Sequence, residues 1–219
     1  NILDSTEYLF NLNLGKRGIS LKDPFIIGVI SYLIGNFSSS YILGKVFRKT
    51  DIRGYGSGNA GATNALRVFG KKIALIAFIF DILKGVLAVY IGGQMMGYTG
   101  ELIAGIFVVL GHNWPIVLKF KGGKGIATSL GVIVSLHWPT AIVCIIIGLL
   151  IITKTRYVSL GSIVAAALVP LIGSLMKRPF NKGFFITTLI LAALAIFRHR
   201  SNIKRLIKGK EFKLGQKIE

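Results

Sequence analysis

Apolar residues in this chain fall in long, nearly continuous runs, interrupted by clusters of glycine, lysine and arginine. The runs show neither the alternation of a half-buried strand nor the polar face of a soluble helix, so they predict helices in apolar surroundings on every side. Seven can be read: Phe25 to Phe47, Ile73 to Gly93, Leu102 to Leu118, Ile126 to Leu136, Trp138 to Ile152, Val158 to Met176 and Phe184 to Phe197. A helix crossing a bilayer needs about 20 residues. The fourth run is about half a span; it crosses only by starting deep, by extending through its flanking glycines or by lying where the bilayer is thin. Pro139 suits an early position of the fifth helix, with His137 and Trp138 forming the turn before it.

The pattern therefore predicts an all-α, polytopic transmembrane helix bundle of about seven segments, forming one domain over residues 24–219. Neither an internal repeat nor a linker divides it. Residues 1–23 are polar, lack the apolar core of a secretory signal, and read as a flexible or artificially added leader.

Composition adds direction to that picture. The chain is 53% hydrophobic, yet holds 27 Lys and Arg against 8 Asp and Glu, a net charge of +19. A soluble domain this basic would point to nucleic acid; apolar runs this long exclude that reading. Cationic loops between spans account for the charge instead. If all seven runs cross, alternate loops collect 20 basic residues on one side and six on the other, with Lys84 inside a span. The positive-inside rule then places the N-terminus outside and the C-terminus, with its basic tail from residue 198, in the cytoplasm. Five crossings, with the short fourth run and a neighbour re-entrant, give the same sidedness. The lone Cys144 sits among Ile and Val as an apolar filler and excludes an internal disulfide or a multi-cysteine metal site.

Three polar clusters share the basic side. In the first, Gly56 to Arg67, the glycines permit a tight loop and Asn59 is suited to cap a helix running through Arg67. Asn59, Thr63 and Arg67 would then share one face, where amide and hydroxyl donors leading to a guanidinium suit a phosphate or a developing oxyanion. An ordinary capped interfacial helix fits the same residues. The second cluster runs from His112 and Asn113 to Gly125. Gly122, Gly123 and Gly125 let backbone N–H groups close around an anion, and Lys119, Lys121 and Lys124 add charge where a span meets water. It is not a nucleotide P-loop, because Gly125 stands where Ser or Thr should follow the lysine. A basic anchoring turn is the plainer alternative.

The third cluster, Arg198 to Glu211, spaces His199, Asn202 and Arg205 three apart on one helical face. Glu211 is the one acid in that stretch and is placed to order Arg or Lys side chains. A lipid-binding basic tail would look similar. Within the second run, Asp81 and Lys84 are three residues apart and neutralise each other as a buried ion pair, with a proton relay as the alternative.

In order and spacing these elements resemble the bacterial acyl-phosphate:glycerol-3-phosphate acyltransferases, a family of integral membrane enzymes. The matching stretches are SGNAGATNALR at Ser57–Arg67, DILKG at Asp81–Gly85, GHNWPIVLKFKGGKGIAT at Gly111–Thr128 and RHRSNIKRLIKGKE at Arg198–Glu211. The likeness covers about residues 25–212.

The resemblance implies transfer of a fatty acyl group from acyl phosphate to the 1-hydroxyl of sn-glycerol 3-phosphate. Lysophosphatidate and phosphate would be the products, in the first acylation of phospholipid synthesis. It further implies a monomer in the bacterial inner membrane, in contact with membrane lipids, with its site on the cytoplasmic side and no cofactor or metal. His199, Ser57 and Asn202 are the catalytic candidates. Asn59, Thr63, Asn64 and Arg67 would surround the phosphates or oxyanion. Lys121, Gly122, Gly123 and Lys124 would bind the acyl-phosphate head, on a loop positioned by His112 and Asn113. His199, with Asn202 nearby, would orient glycerol 3-phosphate, and Arg205 and Glu211 would also take part in substrate binding. The hydroxyl proton could pass to His199 or to the substrate phosphate. A transporter of organic phosphates is the alternative function, although it predicts polar groups in both halves of the membrane rather than on one face.

Overall fold

The computed structural model describes residues 22–216. The leader expected over residues 1–23 lies almost wholly outside them; helix α1 already begins at Lys22. All regular elements among the described residues are helical. They are α1 (Lys22–Gly35), α2 (Ser39–Arg48), α3 (Ala62–Phe69), α4 (Lys71–Asn113), α5 (Ile126–Thr155), α6 (Val158–Met176), α7 (Lys182–Arg198) and α8 (Arg200–Ile207), with single 3-10 turns at Ile52–Gly54 and Ile116–Leu118.

Four stretches are long and apolar enough to cross a membrane: Pro24–Arg48, Lys71–Leu118, Ile126–Thr155 and Val158–Met176. Helices α7 and α8, bent by 58°, make a fifth if taken as one. Large apolar residues also cover the outside, with Phe25, Leu75 and Leu171 all well exposed. Lipid accepts such a surface and water does not.

The first predicted run is not continuous, because α1 stops at Gly35 and α2 starts at Ser39. Asn36 holds the break: its amide donates to Tyr32 O at 2.6 Å, and its Oδ1 accepts from Ile116 N at 2.6 Å. The break turns the carbonyls of Gly35 and Phe37 inward. Helix α1 then crosses the end of α4 at backbone contact, where a Cβ on Gly111 would lie 2.1 Å from Tyr32 O.

Helix α4 would extend about 65 Å if straight. It leaves helical geometry at Met96 and Gly97, and Gly97 takes φ +57°. There it folds back, bringing Gly92 against Gly100 and Asp81 to within 3.7 Å of His112. The second and third predicted runs are its two arms. The third ends at Asn113, earlier than the expected Leu118, since Pro115 cannot continue the helix.

Helix α5 joins the fourth and fifth runs and leaves helical geometry at His137 (φ −164°, ψ 86°), two residues before Pro139. Its flanking residues Lys124 and Ser159 are connected through Asn202 and Glu211 by three hydrogen bonds. A straight helix of about 45 Å could not be bridged that way. The arms of α4 and α5 pack with α7 around a core that includes Val108, Val109, Val132, Ile133, Phe184 and Leu191.

Candidate active site

The polar clusters converge at one end of the bundle, where two cavities meet. The first, of about 360 Å³, is predominantly apolar and runs between α5, α6 and α7. Along α7 it is lined by Thr188, Leu191, Ala192 and Ala195, with His199 just past the helix end, a stripe that 3.6-residue periodicity places on one face. That stripe spans about 16 Å. The second cavity, about 450 Å³, is a cationic cup formed in part by Lys121, Gly122, Arg198, Arg200 and Arg205. Ser57, Asn59 and Lys124 line both. The apolar slot and the cationic cup therefore share a wall of one hydroxyl, one amide and one ammonium.

Lys124 is fixed there by Asn202, whose Oδ1 accepts a short hydrogen bond from Nζ. Asn202 Nδ2 donates to Glu211 Oε1 at 2.7 Å; Ser159 Oγ donates to the same oxygen at 3.0 Å, and Arg205 Nε to Oε2 at 2.8 Å. Glu211 thus orders the cations around it, and its own oxygens are engaged. Burial and the Arg205, Arg67 and Arg198 charges pull the Lys124 ammonium down to about 8, against the opposing pull of Glu211.

Loop Gly122–Gly123 is held on three sides. Arg198 donates to Gly122 O and Gly123 O, Asn59 Nδ2 reaches Gly122 O at 3.4 Å, and Gly123 N donates to His112 O at 3.1 Å. A Cβ on Gly123 would fall 2.0 Å from His112 Nε2, so the imidazole occupies the space a side chain there would need. Gly123 supports the loop from behind and lines neither cavity.

His199 is buried at the mouth of the slot. Its Nδ1 donates to Ala195 O at 2.7 Å, which leaves Nε2 of the neutral ring as an acceptor. Arg67 lies over the Phe212 ring at 5.4 Å and lines the slot, with burial lowering its pKa from the ordinary value.

Several predicted residues sit differently from expectation. Asn59 neither caps nor enters a helix, because α3 starts at Ala62 with Gly61 as its cap. Asn59 therefore drops out of the proposed face, which keeps Thr63 and Arg67 on α3, yet the preceding loop still brings Asn59 to the slot beside them. Asn64 is buried with its amide turned to its own loop: Oδ1 accepts from Ser57 N at 2.8 Å, and Nδ2 donates to Tyr55 O and Ile52 O. It shapes the loop that presents Ser57. Asn113 is fully buried under Gly125 and lines neither cavity. His199, Asn202 and Arg205 diverge, the first two to the slot and the third to the cup. Arg198 and Ser159 were missed: an arginine ending a span reads as a lipid anchor, and a serine within an apolar run carries no signal of a carboxylate partner.

Known proteins match this arrangement over nearly its whole length. The family described as glycerol-3-phosphate acyltransferase matches residues 25–209. The chain belongs to that family. A glycerol-3-phosphate acyltransferase of Thermoanaerobacter pseudethanolicus is 55% identical over 194 residues, covering 89% of this chain and 97% of the relative. One of Clostridioides difficile is 46% identical over 200 residues, with 89% and 97% covered. Among solved structures, the crystal structure of PlsY, an integral membrane glycerol 3-phosphate acyltransferase in its glycerol 3-phosphate form, superimposes with a TM-score of 0.82 at 35% identity, covering 88% of this chain and 96% of that one. Its lysophosphatidic acid form gives 0.79 at 34% identity, covering 88% and 95%. Membership in an integral membrane acyltransferase family agrees with the resemblance carried by the four motifs.

Proposed function

We propose that this acyltransferase takes its acyl group from acyl phosphate and delivers it to the 1-hydroxyl of glycerol 3-phosphate, releasing lysophosphatidate and inorganic phosphate. The observation that carries the reading is the shared wall of slot and cup. A donor with a long chain and a phosphate head needs an apolar slot ending in cations, and a small phosphorylated acceptor needs a separate cationic cup within bonding reach.

In this scheme the acyl chain lies along α7, and Lys124 with Arg67 receives the donor phosphate. Arg205 and Lys121 hold the acceptor phosphate, and Ser57 Oγ faces the carbonyl between them. The acceptor oxygen forms a bond to the acyl carbon as the bond from that carbon to the phosphate oxygen breaks. The hydroxyl proton passes either to His199 Nε2 or to the departing phosphate. The leaving group is good, so no covalent enzyme intermediate is required, and the reaction needs no cofactor.

We further propose seven crossings, each arm of α4 and α5 being one, with the N-terminus outside and a cytoplasmic site in the inner membrane of a monomer. The convergence of the three basic clusters at one end supports this sidedness.

Purified protein incubated with palmitoyl phosphate and labelled glycerol 3-phosphate should form lysophosphatidate without coenzyme A or carrier protein. Product formation only on addition of acyl-coenzyme A would overturn the donor assignment.

A further inference from the structure

We infer that Lys84 is a positioning residue: it fixes His112 in the tautomer that bears its hydrogen on Nε2, against the Gly122–Lys124 loop. The consequence for catalysis rests on the acyltransferase reading above; the tautomer itself does not.

Asp81, Lys84 and His112 are all buried where the arms of α4 meet the break between α1 and α2. Lys84 Nζ lies 2.7 Å from Phe37 O, 2.9 Å from Asp81 Oδ1, 2.7 Å from His112 Nδ1 and 3.4 Å from Gly35 O. An ammonium has three hydrogens and no lone pair. Its three nearest neighbours therefore all accept, and His112 Nδ1 must be bare. The reverse polarity, with Nδ1–H donating to a neutral amine, would leave the Asp81 carboxylate without its countercharge in apolar surroundings. Ser39 Oγ donates to Asp81 Oδ1 at 2.9 Å, holding that oxygen in place.

With Nδ1 occupied, the hydrogen of the neutral ring is on Nε2, the edge packed against Gly123 at the wall of the slot. The ring thus presents a donor toward the loop proposed to hold a phosphate. The opposite tautomer would turn a lone pair toward the back of that loop. Lys84 lines neither cavity and acts through His112, while its partner Asp81 reaches the wall of the slot.

The test is the ¹⁵N spectrum of protein labelled at histidine, recorded without substrate in lipid bilayers, with the His112 signals assigned by their loss in His112→Gln. The wild type should show a bare Nδ1 and a protonated Nε2. Lys84→Met should lose that fixed pattern and lower kcat roughly tenfold or more, as loss of a histidine's orienting partner does, while the KM for glycerol 3-phosphate stays within about twofold. A hydrogen on Nδ1 in the wild type would overturn the inference. So would a Lys84→Met protein that keeps both tautomer and rate. Should that variant fail to fold, the wild-type spectrum still decides the tautomer, and Asp81→Asn supplies the rate comparison. A bare Nδ1 in a protein that does not use acyl phosphate would sink the donor assignment and leave the tautomer standing.

Discussion

Arg198 grips Gly123: its Nε and Nη2 donate to the one carbonyl oxygen at 3.0 and 2.7 Å, and Nη2 also reaches Gly122 O at 3.1 Å. The guanidinium is held 5.2 Å from the Trp114 ring. Because C=O and N–H point oppositely across a trans peptide, turning Gly123 O toward Arg198 turns the Lys124 N–H away from it. An ammonium cannot reproduce the fork. Arg198→Lys is expected to lower kcat/KM by roughly 10–100-fold, through loss of a charge-assisted pair of about 1.5–3 kcal/mol. Steady-state kinetics within twofold of wild type would show that the grip is dispensable.

A second prediction concerns pH. The Lys124 ammonium titrates near 8, so its charge is present below that pH and is lost as pH rises through it. Binding of an anionic acyl-phosphate head should weaken accordingly. The profile of kcat/KM reports groups of the free enzyme and should fall above about pH 8. In Lys124→Arg the fall should move out of the accessible range, even if the absolute rate is lower. An unchanged inflection in that variant would assign the titration to another group.

Glu211 offers three accepting contacts through two oxygens, to Ser159, Asn202 and Arg205. A glutamine has one accepting oxygen, so Glu211→Gln sets an NH₂ against at least one of these donors. Loss of a buried contact of this kind costs about 1–3 kcal/mol. We expect a lower unfolding midpoint and a roughly tenfold higher KM for glycerol 3-phosphate, as Arg205 loses its anchor. A stable variant with wild-type KM would mean that Arg205 holds its position unaided.

For His199, the hydrogen bond to Ala195 O leaves Nε2 open to a substrate hydroxyl. If Nε2 accepts the proton, His199→Ala should lower kcat by roughly 10²–10⁴-fold. If the phosphate takes the proton and His199 only orients glycerol 3-phosphate, His199→Gln should keep most of kcat at saturation and raise KM. Wild-type kinetics in folded His199→Ala would remove the residue from the site.

The residues of the site were legible mainly where they are contiguous. Glycine and lysine crowded beside a span marked the Gly122–Lys124 loop directly, and His137, Trp138 and Pro139 marked the bend in α5. The fold-back at Met96–Gly97 was foreshadowed by the glycines and polar residues between Gly92 and Glu101. What stayed hidden was the direction in which polar groups face. Spacing could not reveal that Asn64 spends its amide on its own loop, nor that Gly61 displaces Asn59 from the cap. Nor could it show Asp81 and Lys84 meeting His112, which requires the two arms of α4 to lie side by side.

The shared wall of Ser57, Asn59 and Lys124 also bears on how the reaction ends. In the proposed reaction the donor's chain and phosphate lie along the slot and the acceptor lies in the cup, whereas lysophosphatidate joins the chain of the slot to the phosphate of the cup and would straddle the two at once. It is therefore shaped to compete with donor and acceptor together, and turnover would depend on how readily the surrounding bilayer draws the newly made lipid away.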